Sequence, residues 1–310
     1  MSSYAFVANT TGTVTVIDIT TPSSPTVVAT VAVGSVPEAI AAYGSYLYVC
    51  NTGSNTISVV DVSHPLSPSV VHTVTVGGGP AAIAISGAYA YVACGGSNSV
   101  SVLDLSAPAL PVLINTVTVG TAPSAIATSG AYAYVVNRTA NTLSVVHIAV
   151  PASAVQIAVV GTAGGSQSVG ANGNYMYVGA AGVVDVVDVT FPGFPNVVNA
   201  FGPGGSWSPA AIVIDGALAY ILDFHGAQLY AFDLTNPESP VQTATTAVGN
   251  LPRAMAVQGG YAYVANSADS TMSVVDLGAF SQIATVSVPF PAAVAVAAGA
   301  SSLSYASGQG

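Results

Sequence analysis

A step of 43 residues organises this chain. The aromatic pair Tyr46/Tyr48 returns as Tyr89/Tyr91, Tyr132/Tyr134, Tyr175/Tyr177, Leu218/Tyr220 and Tyr261/Tyr263. Asp18, Asp61 and Asp104 keep the same step, as do Pro37, Pro80 and Pro123, and again Pro209 and Pro252. A fixed period of this length, filled with short Val, Ile, Tyr and Thr runs, specifies an array of small β-units that bury their apolar faces against one another. Seven such steps account for nearly all of the 310 residues, so residues 1–310 read as one domain.

One repeat shows what the unit is. Ala39-Ile40-Ala41-Ala42 is a short run of small apolar residues, and Gly44-Ser45 is a two-residue hairpin signal. Tyr46 to Cys50 is a second strand, and Asn51-Thr52-Gly53-Ser54-Asn55 is a turn cluster. Thr56 to Val62 is a third strand, closed by Ser63-His64-Pro65-Leu66-Ser67-Pro68, and Ser69 to Val76 is a fourth. Four antiparallel strands per period make a propeller blade. Tyr4-Ala5-Phe6-Val7 reads as the second strand of a blade lacking its first, and Ala293-Val294-Ala295-Val296 reads as the missing strand. The expected fold is therefore all-β: a seven-bladed propeller with four antiparallel strands per blade, the first blade closed by the N- and C-terminal strands.

The stretch Tyr48-Val49-Cys50-Asn51 through Asn55-Thr56-Ile57-Ser58-Val59-Val60-Asp61 resembles the YVTN repeat of bacterial and archaeal surface-layer propellers. Val60-Asp61-Val62-Ser63, followed by Pro65 and Pro68, is similar to the LVIVD repeat. The resemblance covers essentially the whole chain. It implies a seven-bladed propeller, commonly on the cell exterior, and it implies no fixed activity, because this fold hosts binding, scaffolding and several chemistries.

Composition narrows the partners. The chain has no Lys, and Arg138 and Arg253 are its only basic residues besides four His. Nucleic-acid backbones require clustered Lys and Arg, so nucleic acid is excluded. No uninterrupted apolar run reaches the length of a membrane-spanning helix. Cys50 and Cys94 lie one position out of phase in adjacent repeats and read as buried free thiols. Neither C-x-x-C nor C-x-x-C-H occurs, and no metal or cofactor is expected. Asn9 and Asn137 head N-x-[ST] sequons and are glycosylation candidates. Met1-Ser2-Ser3-Tyr4 runs into a strand without a leader, while the Lys-free, Ser/Thr/Asn/Gly-rich composition favours an extracellular or cell- or particle-surface location, with the cytosol as the other reading.

Residues that recur serve the repeat. Asp18, Asp61, Asp104, Asp188, Asp233 and Asp276 end the third strand in six blades and are expected to accept backbone N–H groups in the following turn. Function is sought where the period breaks. Glu38 and Arg253 share the position just after the first-strand Pro, where the other blades place Ala81, Ser124, Gln167, Ala210 and Ala292. That ring should line the mouth of the central channel. Trp207 lies in the irregular connection 202–209, Asp223 and His225 replace an Asn-rich turn in blade six, and Arg138 falls on the equivalent turn of blade four. These six residues, Glu38, Arg138, Trp207, Asp223, His225 and Arg253, form the candidate binding set on the top face.

No G-x-S-x-G, H-E-x-x-H or P-loop occurs, and the chain has only two Glu. The expectation from sequence is a non-enzymatic structural or interaction propeller. Its outer strands, such as Val70 to Val76, lack the Lys, Pro or inward charges that usually guard sheet edges. That pattern suits self-association into a surface layer, coat or filament. The alternative is an adhesive or receptor-like module that binds surface proteins or glycans through the top face around blades five to seven. A lactonase-like enzyme is the third reading.

Overall fold

The computed structural model describes residues 3–205, 207–298 and 302–304. Seven antiparallel sheets stand around a common axis. Blade two is built from Pro37–Tyr43, Tyr46–Asn51, Thr56–Asp61 and Ser69–Thr75, in that order from axis to rim. Blades three to seven repeat it from Pro80, Pro123, Ser168, Pro209 and Pro252. Blade one takes its innermost strand, Pro291–Ala298, from the far end of the chain and its other three from Ser3–Asn9, Thr13–Asp18 and Thr26–Ala32. Val7 faces Val294 and Tyr4 faces Ala297 in this closing pair. A short strand, Ser302–Ser304, adds to the axial side of Pro291–Ala298, so blade one has five strands.

Each inner blade is apolar on both faces because each is sandwiched between two others. Tyr48, Ile57 and Val59 of blade two are fully buried against Ile83, Val92 and Leu103 of blade three. In two of the pairs the second Tyr also fastens its blade to the next: the Tyr48 hydroxyl donates to the Pro108 carbonyl at 2.7 Å and the Tyr177 hydroxyl to that of Pro237 at 3.0 Å. Burial pushes the phenols of Tyr91, Tyr134, Tyr177 and Tyr263 up to about 12. Cys50 and Cys94 are free and lie in the same layer between blades two and three, on facing sides of adjacent sheets. Burial raises the Cys50 thiol well above its ordinary value.

The recurring aspartates do the expected work. Asp18, Asp61, Asp104, Asp188 and Asp276 each accept the N–H two residues on at 2.8 Å, and Asp233 accepts that of Thr235 at 2.7 Å. Blade four, which has His147 instead, sets that imidazole 5.4 Å from the Tyr132 ring at a tilt of 53° and turns through a 3-10 helix, Pro151–Ser153. Blade seven has the shortest third-to-fourth-strand loop, 277–280, against 234–240 in blade six.

The rim differs from its sequence reading. In all seven blades the register between third and fourth strands slips once, for example between Val59 and Val60 and between Val145 and Val146. A bulge of this kind twists an edge strand away from flat pairing. The rim therefore carries a guard that no residue type announces, although Val27, Val71, Val112 and Val155 remain exposed on it.

Candidate functional site at the channel mouth

The mouth is built by one backbone device repeated around the ring. In six blades the first and second strands pair with a skipped residue: Pro37 faces Asn51 and Ala39 faces Cys50, leaving Glu38 unpaired. The same slip frees Ala81, Ser124, Ala210, Arg253 and Ala292. A bulge re-aims the extra side chain, here toward the axis. In blade five Gln167 reaches the same place from just before its strand.

Immediately upstream the backbone is strained. Val36, Ala122, Leu251 and Phe290, each just before the strand-opening Pro, have φ of +50°, +54°, +49° and +44°. A non-glycine residue in this left-handed region costs roughly 1–2 kcal/mol. The carbonyls so oriented accept N–H groups from the second-to-third-strand turns: Thr52 to Val36 at 2.9 Å, Arg138 to Ala122 at 3.0 Å and Ser267 to Leu251 at 3.1 Å. Phe224 donates likewise to Ser208 at 2.9 Å. These bonds set a second tier over the bulge ring.

The result is a cavity of about 440 Å³. It is lined by the six bulge residues, by Gln167 and, from the upper tier, by Arg138 and Phe224. The sequence-derived ring is thus found whole at the mouth. Glu38 is half-buried, with its Oε2 3.2 Å from the Thr52 hydroxyl, which lies 2.7 Å from the Pro80 carbonyl. Gln167 Nε2 donates to Ser208 Oγ at 3.1 Å. Arg253 is exposed, with its guanidinium carbon 6.0 Å from the centroid of Phe224. Arg138 is exposed, and among the described residues neither arginine is ion-paired to a carboxylate.

The other candidates go elsewhere. Trp207 is 3% exposed and packs 5.9 Å from Tyr230 and 6.1 Å from Phe232, in the core between blades five and six. Asp223 is buried and accepts backbone N–H groups from Ser208 at 3.0 Å and His225 at 3.2 Å. His225 is exposed beside Phe224, outside the cavity lining. Phe224 was the residue to single out in that turn, since it holds the repeat position of Arg138. Among the described residues no group of three or more His, Cys, Asp or Glu could hold a metal ion. No described helix is long and apolar enough to cross a membrane.

Both glycosylation candidates fall as well. Asn9 and Asn137 are fully buried. Their amide nitrogens donate to Thr13 and Thr15, and to Thr142 and Ser144, at 2.8–3.1 Å. An amide held this way inside a blade has no room for a glycan in the folded chain.

The LVIVD repeat model matches residues 2–33, 37–76, 77–119, 120–162, 163–201 and 253–286. No curated protein matches the sequence. Among solved structures, the periplasmic gluconolactonase PpgL of Pseudomonas aeruginosa is 18% identical, with a TM-score of 0.81 over 96% of this chain and 99% of its own. A protein described as a candidate 6-phosphogluconolactonase of Bacteroides uniformis is 15% identical, with a TM-score of 0.83 over 96% and 99%. A functionally unknown protein of Desulfotomaculum acetoxidans is 13% identical, with a TM-score of 0.80 over 94% and 98%. The expectation of a non-enzymatic protein does not stand beside these matches, since proteins named as lactonases share the fold nearly end to end. The physical reason is plain in the mouth. A propeller gathers its axial residues one per blade, so a site leaves no contiguous motif to find.

Proposed function

Because the chain belongs to the LVIVD repeat family, whose repeats specify a ring and leave chemistry to the residues at its axis, we propose that it binds a small polar molecule in the channel mouth. The observation that carries this reading is the convergence of bulge positions on one cavity, where Glu38, Ser124, Gln167 and Arg253 interrupt a rim of alanines. A ring held by strained backbone and paired carbonyls is preorganised, which reduces the ordering cost of binding. The names of the neighbouring structures give the chemistry to test first: addition of water to a lactone carbonyl, with rupture of the ring C–O bond to release a hydroxy acid. Among the described residues Glu38 is the one carboxylate lining the mouth, and general-base assistance to that water would rest on it. An extracytoplasmic location is part of the proposal, supported by the Lys-free composition.

Filling the mouth is the direct test. Ala81→Trp and Ala210→Trp each place an indole in the cavity, Ala81 away from the blade cores and Ala210 at the edge of the one between blades six and seven. The parent should open gluconolactone in a pH-stat assay, or be stabilised by members of a panel of neutral and charged polar metabolites in thermal unfolding. Both variants should lose that response while keeping the parent melting temperature. A parent inert to the whole panel, or variants that respond as the parent does, would sink the reading.

A further inference from the structure

Only two of the 310 side chains are Lys or Arg, and both line this one cavity. Arg138 comes from blade four and Arg253 from blade seven, three blades apart in a ring of seven and so nearly across the mouth from each other. Glu38, on blade two, stands two blades from each, on one flank of that diameter. Gln167 and Phe224 occupy the opposite flank. The formal charge of the chain is −10, yet the mouth carries two cations against one anion.

Resting on the mouth as the binding site, we infer that its ligand is an organic dianion with an acidic group at each end and hydroxyls between: the chemistry of a sugar diacid. Each arginine takes one terminal carboxylate, for which a planar guanidinium offers paired donors. Glu38 accepts hydrogen bonds only, so it selects hydroxyl donors in the middle of the ligand and repels a third acidic group. Gln167 and Ser124 supply further polar contacts, and the Phe224 ring that supports Arg253 faces the ligand's carbon chain.

Three six-carbon probes of nearly equal size separate the terms: glucitol with no carboxylate, gluconate with one and glucarate with two. In calorimetric titrations glucarate should bind about tenfold or more tighter than gluconate, and gluconate tighter than glucitol, as expected for hydrogen bonds to charged groups. Arg138→Gln and Arg253→Gln should each lower glucarate affinity to the level of gluconate, and the double variant should erase the difference among all three. Both arginines are exposed, so these variants should fold as the parent does, which circular dichroism checks. Added salt should weaken glucarate binding and leave glucitol binding unchanged. Glucarate binding no tighter than glucitol, or undiminished in the double variant, overturns the inference. If glucarate binds no tighter than glucitol while Ala210→Trp blocks both, the mouth is a binding site and the diacid inference alone is wrong.

Discussion

The linkers that carry the chain from one blade to the next come in two kinds. Those entering blades two and four span residues 33–36 and 119–122, whereas those entering blades five and six span 162–167 and 202–208. The short ones lie across an asparagine. Gly34 and Gly120 come so near Asn51 and Asn137 that a Cβ on either glycine would sit 2.5 or 2.6 Å from the amide carbon. The amide nitrogens are spent on third-strand hydroxyls, and the amide oxygens are buried with no partner among the described residues. Here close packing holds the linker. The long ones are held by hydrogen bonds to carboxylate oxygens. Asp185 Oδ2 accepts the Ala163 N–H at 2.7 Å, and Asp223 Oδ1 accepts those of Ser208 and His225. A longer linker has more freedom to lose, and a carboxylate that accepts its backbone N–H groups fixes it at those points. The repeat preserves the task of fixing the linker, while the chemistry that performs it changes with linker length.

Asp223→Ala strikes this contrast hardest. A buried carboxylate and the two backbone N–H hydrogen bonds it accepts are lost as a unit and the seat of Trp207 loosens, so unfolding in urea should show a loss of about 3 kcal/mol. A loss no larger than that of Asn137→Ala would mean that the long linker needs no charged tether. Gly120→Ala comes next. Its Cβ collides with the Asn137 side chain, and overpacking of this kind costs about 2 kcal/mol. The penalty should shrink in an Asn137→Ala background, and additive losses in that double-mutant cycle would show that the two residues are not in contact.

Asp185→Asn has the smallest effect and the opposite sign. Burial raises the Asp185 carboxyl above its ordinary value of 3.8, with the Ala163 hydrogen bond opposing the shift only in part. The folded chain therefore holds that proton more tightly than the unfolded chain does, and the ionised form costs stability at neutral pH. The amide keeps an acceptor for Ala163 without the charge, so the melting temperature at pH 7 should rise by about 2 °C. That advantage should fade as pH falls through the raised folded value, where Asp185 is itself neutral. A variant less stable than the parent at pH 7 would show that the charge on Asp185 is what fastens the linker.

Fold and site were unequally legible, for physical reasons. Period and strand content followed from Tyr, Asp and Pro placed every 43 residues, because each blade must solve the same packing problem. The ring of Glu38 and Arg253 was legible because a Pro marks its position in most blades. Trp207 was not: an irregular linker rich in Gly can turn an indole either way, and the Phe232 and Tyr230 surfaces that draw it inward lie on another strand. Asn51 and Asn137 read as turn residues or glycan acceptors, since Asn favours turns. Their recurrence at one repeat position, with a Ser seven residues on at Ser58 and Ser144, was the available signal for a buried strand end. The rim bulges leave no mark in residue type, because they consist of a skipped backbone pairing between ordinary strand residues that differ from blade to blade, Val102 and Leu103 in one and Ala231 and Phe232 in another.

The pairing of Val7 with Val294 sets the order in which this molecule can be made. On the ribosome, Ser3–Asn9 emerges early and must wait for Pro291–Ala298, the strand that completes its sheet, until almost everything between has been translated. Through that interval Ala5 to Ala8, fully buried in the finished ring, lie along an open strand edge. The clasp can engage only at the end, and a contact between such distant parts of the chain is slow to find. A nascent fragment halted before residue 291 is thus the form of this protein most in need of a chaperone.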